Sequence, residues 1–578
     1  KHSQLKTIIE AYMKLLAEWA EEGRGQDFEI NPAAEIFRLA DAISGRSVRS
    51  AIVASSARVA AHDPELSDLI RKGQDASQQI KMLQAALAEN MSAPEDQRLP
   101  HVVAGLKQKL FILTAARNSL QTEIAARFPK YADFTAPDPV TISEVQSYLK
   151  VSEALVFIYP ALDRTYVWAL PQNGAHVFAR VELGRQKLQN MAEKLRRALD
   201  PNASTFGNIP EFDLALAQSL YAQLLQPVAD GWQAANHLLI VAPGPLGQLP
   251  FAVLPTAPTP DLKSKALLFD EYQTVPWLIR KVSITRLPST ATLVILRKLP
   301  APTPRDSAFV GFGDSIFNPA QIESDNQTQT SEPQPFESGR TGLHFRGIRI
   351  ADSGRLDDPK ITSIHLESLQ RLPDTAEELE KIAQILNADQ QHDLFLREKA
   401  SEEQVKTMDL SNRQVVAFAT HALVPGDLDG LDQPAIALSS PAVTGGKEDG
   451  LLTMGEIMTL KLNSDWVVLS ACNTGASEGK GAEAVSGLGR AFFYAGSRAL
   501  LVSMWPVETT SAGKLTTGLF RYQRQNPEFS RAQALRQSML QLIDSPGLMD
   551  DASGKLVASY AHPIFWAPFI IIGDSGLR

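Results

Sequence analysis

The chain has 578 residues, a net charge of −9 and a pI near 5.7, a balance that argues against nucleic acid as its main partner. A single cysteine, Cys472, excludes an internal disulfide framework and a cysteine-rich zinc site. No apolar run approaches the roughly 18 residues of a membrane-spanning helix, and the length predicts roughly three or four domains of about 150 residues each.

The chain begins at Lys1 rather than Met and shows no signal-peptide pattern. This reads as a truncated or processed chain whose targeting segment or further N-terminal domain is missing. Residues 1 to 132 lack strand signals and carry helical periodicity, with Leu5, Ile8, Ile9, Tyr12, Leu15 and Leu16 at 3-and-4 spacing. Ala34 to Ala42 and Val48 to Ala61 continue it. Pro64 to Asn90 and Leu99 to Arg127, separated by a polar stretch, predict an antiparallel helical hairpin.

Thr141-Ile-Ser-Glu144 is a capping box that opens a short helix. Ala154–Tyr159, Thr165–Leu170 and His176–Glu182 then read as a meander of three strands, followed by helices over Leu183–Leu199 and Leu214–Leu225. His237–Ala242 is a buried strand, and Phe251 to Leu254 follows Pro243-Gly244-Pro245. Residues 133–298 are expected to form one α/β domain.

Leu299-Pro-Ala-Pro-Thr-Pro304 reads as a linker, and the strand Ala308–Phe312 begins a second α/β domain over 299–578. Residues 318–360 are polar and too long for an ordinary connection. Helices are predicted over Thr375–Leu386 and Ser401–Met408, with a short strand at Asp393–Leu396 between them. Gln414–Ala419 and Trp466–Leu469 are apolar runs of the kind that form buried parallel strands, and 425–450 is read as a long loop between them. A helix over Ala482–Ala495, a strand over Ser497–Ser503, helices within 511–545 and a closing strand over Phe565–Ile572 complete the pattern.

Cys472 falls just past the carboxyl end of the Trp466–Leu469 run, in Ser-Ala-Cys-Asn-Thr-Gly. His421 ends the Gln414–Ala419 run in the same way, 51 residues earlier. Ligands bind at the carboxyl edge of open α/β sheets, and one cysteine with a histidine about 50 residues upstream is a caspase-type order of nucleophile and base. A free cysteine is most often a small buried core residue; its strand-end position, the turn after it and the paired histidine favour the nucleophile. The backbone N–H groups of Cys472 and Ala422 are the candidate oxyanion donors. Asp314 and Glu508, acids near other strand ends, are candidates for an S1 pocket that takes a basic P1 side chain. Glu483 is read as structural.

Several stretches resemble the CHAT family of caspase-like, separase-related cysteine proteases. They are Phe418-Ala-Thr-His-Ala422, Val468-Leu-Ser-Ala-Cys-Asn-Thr-Gly475, Glu483 through Gly487-Leu-Gly-Arg-Ala-Phe-Phe-Tyr-Ala-Gly496, Ser503-Met-Trp-Pro-Val507 and His562-Pro-Ile-Phe-Trp-Ala-Pro-Phe569. Weaker similarity runs back through Leu372 to Glu378, Gly313-Asp314, Pro243 to Phe251 and Phe128 to Tyr131. The resemblance implies an α/β fold: a caspase-like catalytic domain preceded by a pseudo-caspase-like domain and an N-terminal helical region, the possible end of a helical repeat array. It implies a cysteine endopeptidase with a His421–Cys472 dyad, no metal in the dyad chemistry and no cofactor. Protein or peptide is the implied substrate, with an activating protein partner on the N-terminal helices and neither nucleic acid nor membrane as ligand. Members act as regulated bacterial proteases in signalling, defence or cell death, which makes the bacterial cytoplasm the expected compartment. The family usually has glycine after the histidine, where this chain has Ala422. A catalytically weak pseudo-protease or assembly scaffold is the competing expectation, and a thiol-dependent acyltransferase or hydrolase acting on small molecules is a third. The long stretches 318–360 and 425–450 are expected to flank and regulate the site.

Overall fold

The computed structural model describes residues 2–576 apart from 22–30, 45, 61–63, 93–99, 128–138, 202, 204, 260–266, 300–306, 323–344, 347–364, 426, 429–430, 471–486 and 550–554. The chain divides into two compact units. One comprises Lys1–Arg49, Pro139–Val294 and Pro302–Arg578, and the other comprises Ser50–Asp138 with Ile295–Ala301. The second unit is built on the expected hairpin, helices Pro64–Ser92 and Pro100–Arg127, which bury Leu69, Ile70 and Ile124 and pack Leu120 against them.

The first unit carries the strands. In chain order they are β1 Glu153–Pro160, β2 Thr165–Pro171, β3 Val177–Val181, β4 His237–Val241, β5 Ser283–Arg286, β6 Ser307–Gly313, β7 Phe345–Arg346, β8 Leu394–Leu396 and β9 Arg413–Ala419. They continue with β10 Ala422–Leu423, β11 Ala435–Ala437, β12 Leu451–Thr453, β13 Trp466–Leu469, β14 Ala499–Ser503, β15 Val507–Glu508, β16 Leu548–Met549, β17 Leu556–Ala558 and β18 Phe569–Gly573. Eleven of them form one mixed, mostly parallel sheet in the order β3-β2-β1-β4-β5-β18-β14-β13-β9-β6-β8. The strands of 133–298 and those of 299–578 thus share a single sheet, joined where Ile572 of β18 lies parallel to Arg286 of β5. The expected closing strand is an interior one: Pro563–Trp566 is helical, and only Phe569–Gly573 is strand.

Side-chain chemistry explains the central order. Every residue of β13, β14 and β18 is buried, as interior strands covered on both faces require, although β18 runs antiparallel to β14. Phe312 stacks on Phe395 at 5.2 Å and on Phe418 at 5.3 Å, and Phe418 meets Phe492 of helix Gly487–Ala495 at 5.7 Å. These aromatic contacts lock the strand that ends at His421 between its neighbours.

Helices His2–Glu21 and Pro32–Ile43 belong to the same unit. Phe37 packs edge-on against Phe157 and Trp168, and the Trp168 indole donates to the Ala33 carbonyl. The buried face of the first helix is Met13, Leu16 and Ala17, whereas Leu5, Ile8, Tyr12 and Leu15 of the expected periodic set are exposed. Two further expectations are corrected. Residues 425–450 are not simply loop: β11 and helix Pro441–Thr444 lie within them, and β10-β11-β12 form a small antiparallel sheet because Ala435-Ile-Ala and Leu451-Leu-Thr bury apolar side chains. Phe251–Val253 is a 3-10 turn.

Gly496 ends the helix that follows the cysteine stretch. Its φ is +122°, and a Cβ there would stand 2.1 Å from the Leu462 carbonyl oxygen. Both the dihedral and the backbone clash forbid a side chain. Gly496→Ala is expected to cost about 3 kcal/mol or more, read as a fall in the urea midpoint; an unchanged midpoint would refute this packing.

Candidate active site

The site begins with register. β9 and β13 are adjacent and parallel, with Leu469 beside Phe418, and the Ser470 N–H donates to the Phe418 carbonyl at 2.9 Å. Parallel strands of this kind present their carboxyl ends at one edge of the sheet. His421 stands at that edge, and Ser470 is the last described residue before the cysteine stretch. Cys472 and Glu483 lie outside the described residues.

His421 is only 2% exposed. Its Nε2 lies 2.6 Å from the Gln370 carbonyl oxygen, so Nε2 carries the proton and donates it. Nδ1 is then a bare lone pair, buried and without a hydrogen-bond partner among the described residues. The Phe317 ring lies 5.6 Å from the imidazole. Burial pushes the His421 pKa below the ordinary histidine range, while the Gln370 carbonyl and the Asp374 carboxylate pull it back up. The ring is therefore a neutral base near pH 7.

Ala422 sits in β10, opposite Ile436. The Ala437 N–H donates to the His421 carbonyl at 2.9 Å, which makes Ala422–Ile436 the non-hydrogen-bonded type of antiparallel pair. The Ala422 N–H is thus not spent on that ladder. Its backbone is extended, so the methyl group in place of the usual glycine hydrogen meets no left-handed strain.

The S1 candidates have both carboxylates engaged within the chain. Asp314, 1% exposed, takes a two-pronged pair from Arg371, Nε to Oδ1 and Nη2 to Oδ2 at 2.7 Å each. Glu508 caps helix Thr509–Gln525, accepting from the N–H groups of Thr510 at 2.9 Å and Ser511 at 2.8 Å. A basic P1 side chain would have to displace Arg371 from the first or uncap a helix at the second.

One three-carboxylate cluster among the described residues has metal-ligand spacing: Glu402, Glu448 and Glu456. Its cation is already a side chain. Lys406 Nζ lies 3.2 Å from Glu402, 2.6 Å from Glu448 and 3.1 Å from Glu456. Burial first, and then the neighbouring Glu456, push the Glu402 carboxyl up to about 8.

Sequence reasoning missed three participants. Gln370 acts through its backbone carbonyl, which no residue type announces. Arg346 lies in the polar stretch 318–360, read as loop, yet it is fully buried against Asp374, Glu378 and Ser470. Ser470 stands inside the Val468–Gly475 motif, where its own side chain gives no separate signal.

Among the described residues no helix is long and apolar enough to cross a membrane. Comparison with curated proteins found no match. Among solved structures, the chain is similar to separase in the Saccharomyces cerevisiae separase–securin complex, at 11% identity and a TM-score of 0.37, covering 86% of this chain and 37% of that one. It is also similar to the Arg-specific cysteine proteinase gingipain R, at 10% identity and a TM-score of 0.31, covering 68% of this chain and 75% of that one. A complex of pro- and mature domains from Porphyromonas gingivalis matches at the same identity and TM-score, with 68% and 76% covered. The CHAT domain model matches residues 214–574, more than half of the sequence, and the chain belongs to the CHAT domain family.

Proposed function

We propose that this protein is a cysteine endopeptidase in which Cys472 is the nucleophile and His421 the base. The observation that supports it most is the state of the imidazole: Nε2–H is committed to Gln370, which fixes the tautomer and leaves Nδ1 as a buried lone pair with no hydrogen-bond partner among the described residues. A buried acceptor of that kind normally has a donor, and a thiol supplies one. Two residues of chain beyond Ser470 span at most about 7 Å, so Cys472 is within reach of the strand end beside His421.

In this reading Nδ1 takes the thiol proton and the sulfur attacks the peptide carbonyl carbon. The carbonyl oxygen becomes an oxyanion met by the N–H groups of Ala422 and Cys472. The C–N bond breaks as His421 returns its proton to the leaving amine, and water, deprotonated by the same nitrogen, hydrolyses the thioester. The catalytic residues all lie in 299–578, which leaves 133–298 as the non-catalytic, pseudo-protease half of the sheet and the N-terminal helices as the place for an activating partner. The physiological role is that of a regulated bacterial cytoplasmic protease acting on protein substrates.

A fluorogenic peptide library, read beside a Cys472→Ala control and a thiol-reactive probe, tests this. Cleavage that depends on Cys472 is expected. No cleavage under any activating condition, with the probe ignoring Cys472, would overturn it. The same library examines specificity. Asp314→Ala is expected to cost about 3 kcal/mol, because it breaks the buried, two-pronged pair with Arg371, and to leave the P1 preference unchanged. Loss of cleavage after basic residues alone, at unchanged stability, would instead place S1 at Asp314.

A further inference from the structure

The arginine on β7 has a place that scaffolding alone does not explain. Phe345–Arg346 forms a two-residue antiparallel strand with β15, Arg346 opposite Val507 and Phe345 opposite Glu508. The Arg346 side chain is 1% exposed. Its Nε donates to Asp374 Oδ2 at 2.7 Å, and its Nη1 donates both to Glu378 Oε2 at 2.5 Å and to the Ser470 hydroxyl at 3.0 Å. Glu378 is held in turn by the Thr516 hydroxyl at 2.8 Å. Asp374 and Glu378 lie on one helix, Asp374–Leu386. Ser470 follows β13, and the negative charge of Asp374 is a lesser influence that raises the His421 pKa against the larger lowering by burial. One guanidinium therefore ties the end of β13 to the helix that carries Asp374 and Glu378.

We propose that Arg346 is a positioning residue of this site: seated between Asp374, Glu378 and the Ser470 hydroxyl, its guanidinium ties the end of β13, from which the chain leads toward Cys472, to helix Asp374–Leu386 beside it. The inference rests on the Cys472–His421 reading above. A planar fork suits this geometry as an ammonium does not, because three acceptors are met from one rigid group. Loss of the fork frees the strand end and removes the cation that pairs Asp374 and Glu378.

The test has two arms. In the Cys472→Ala protein, labelled with ¹⁵N-histidine and with the His421 resonance assigned through His421→Gln, the imidazole is titrated with and without Arg346→Met. Among the described residues, the Gln370 carbonyl and Phe317, both neutral, lie against the ring, and Asp374 is the carboxylate whose charge raises its pKa. With Asp374 unmasked, the His421 midpoint is expected to move to higher pH; an unmoved midpoint in folded protein overturns the proposal. The second arm uses Ser470→Ala, which keeps both ion pairs and spares the fold if Arg346→Met does not. It is expected to lower kcat by about 10-fold, the scale of a small misplacement of reacting groups, with KM little changed. Arg346→Lys is expected to recover only part of the wild-type kcat. A purely structural role would instead reduce the titratable active fraction and leave kcat per active site intact. Wild-type cleavage with no effect in either arm sinks the Arg346 proposal alone. If the wild type fails to cleave and the thiol-reactive probe ignores Cys472, the protease reading falls; the His421 titration still decides the electrostatic role of Arg346.

Discussion

Cys472→Ala is expected to lower kcat/KM for peptide cleavage by at least about 10³-fold, and His421→Gln by a similar factor. The two effects should not add. Thiol and imidazole act as one unit, so the double variant is expected to be no worse than either alone. Cys472→Ala is the cleaner probe, because His421→Ala would also remove the hydrogen bond to the Gln370 carbonyl, worth about 0.5–1.5 kcal/mol. The acid limb of kcat/KM should follow the depressed His421 pKa, so activity is expected to persist below the ordinary histidine range near 6.5. Peptide turnover by the Cys472→Ala protein within tenfold of wild type would remove the dyad. An acid limb at or above the ordinary histidine value would contradict the buried, neutral ring.

Acid is expected to destabilise the fold through His562, and this is the second large effect. That histidine is fully buried. Its Nδ1 accepts the Ile564 N–H at 3.2 Å and its Nε2 donates to the Pro210 carbonyl at 3.2 Å, so the neutral ring is satisfied and a second ring proton would face an N–H. Burial lowers its pKa to about 3 from 6.5, against a smaller opposite pull from Pro210. Below pH 6.5 the unfolded chain binds a proton that the folded chain refuses. Stability is therefore complete above that value and falls as pH drops toward about 3, by about 2 kcal/mol at pH 5 and about 5 kcal/mol at the lower end. Glu402, with its carboxyl pushed up to about 8, acts in the opposite sense over part of this window. The His562 contribution is accordingly the difference between wild type and His562→Gln in urea denaturation at pH 7.5 and pH 5. Equal pH dependence in the two proteins would show that His562 is not held neutral.

Much of this fold is legible in the sequence. Thr141, Ser401 and the hydrophobic runs of β9, β13 and β14 act over a few residues, and the structure has helices and strands there. The resemblance to the CHAT family was equally readable from motifs, because short stretches such as Phe418-Ala-Thr-His-Ala422 carry it whole. The 425–450 stretch was harder. Its strands are three residues or fewer, too short for alternation to separate them from loop.

The sequence by itself determined the alternation of strands and helices and singled out His421 and Cys472 as the residues with chemistry to offer, because periodicity and motif spacing are local properties. Only the tertiary structure decided that the strands of two expected domains share one sheet, that the Gln370 carbonyl sets the histidine tautomer, that Asp314 and Glu508 already have partners, and that Arg346 reaches Ser470 across 124 residues of chain. Those outcomes depend on which distant polar groups become buried together. A carbonyl or a guanidinium does not choose its partner until packing has removed the water that would otherwise satisfy it.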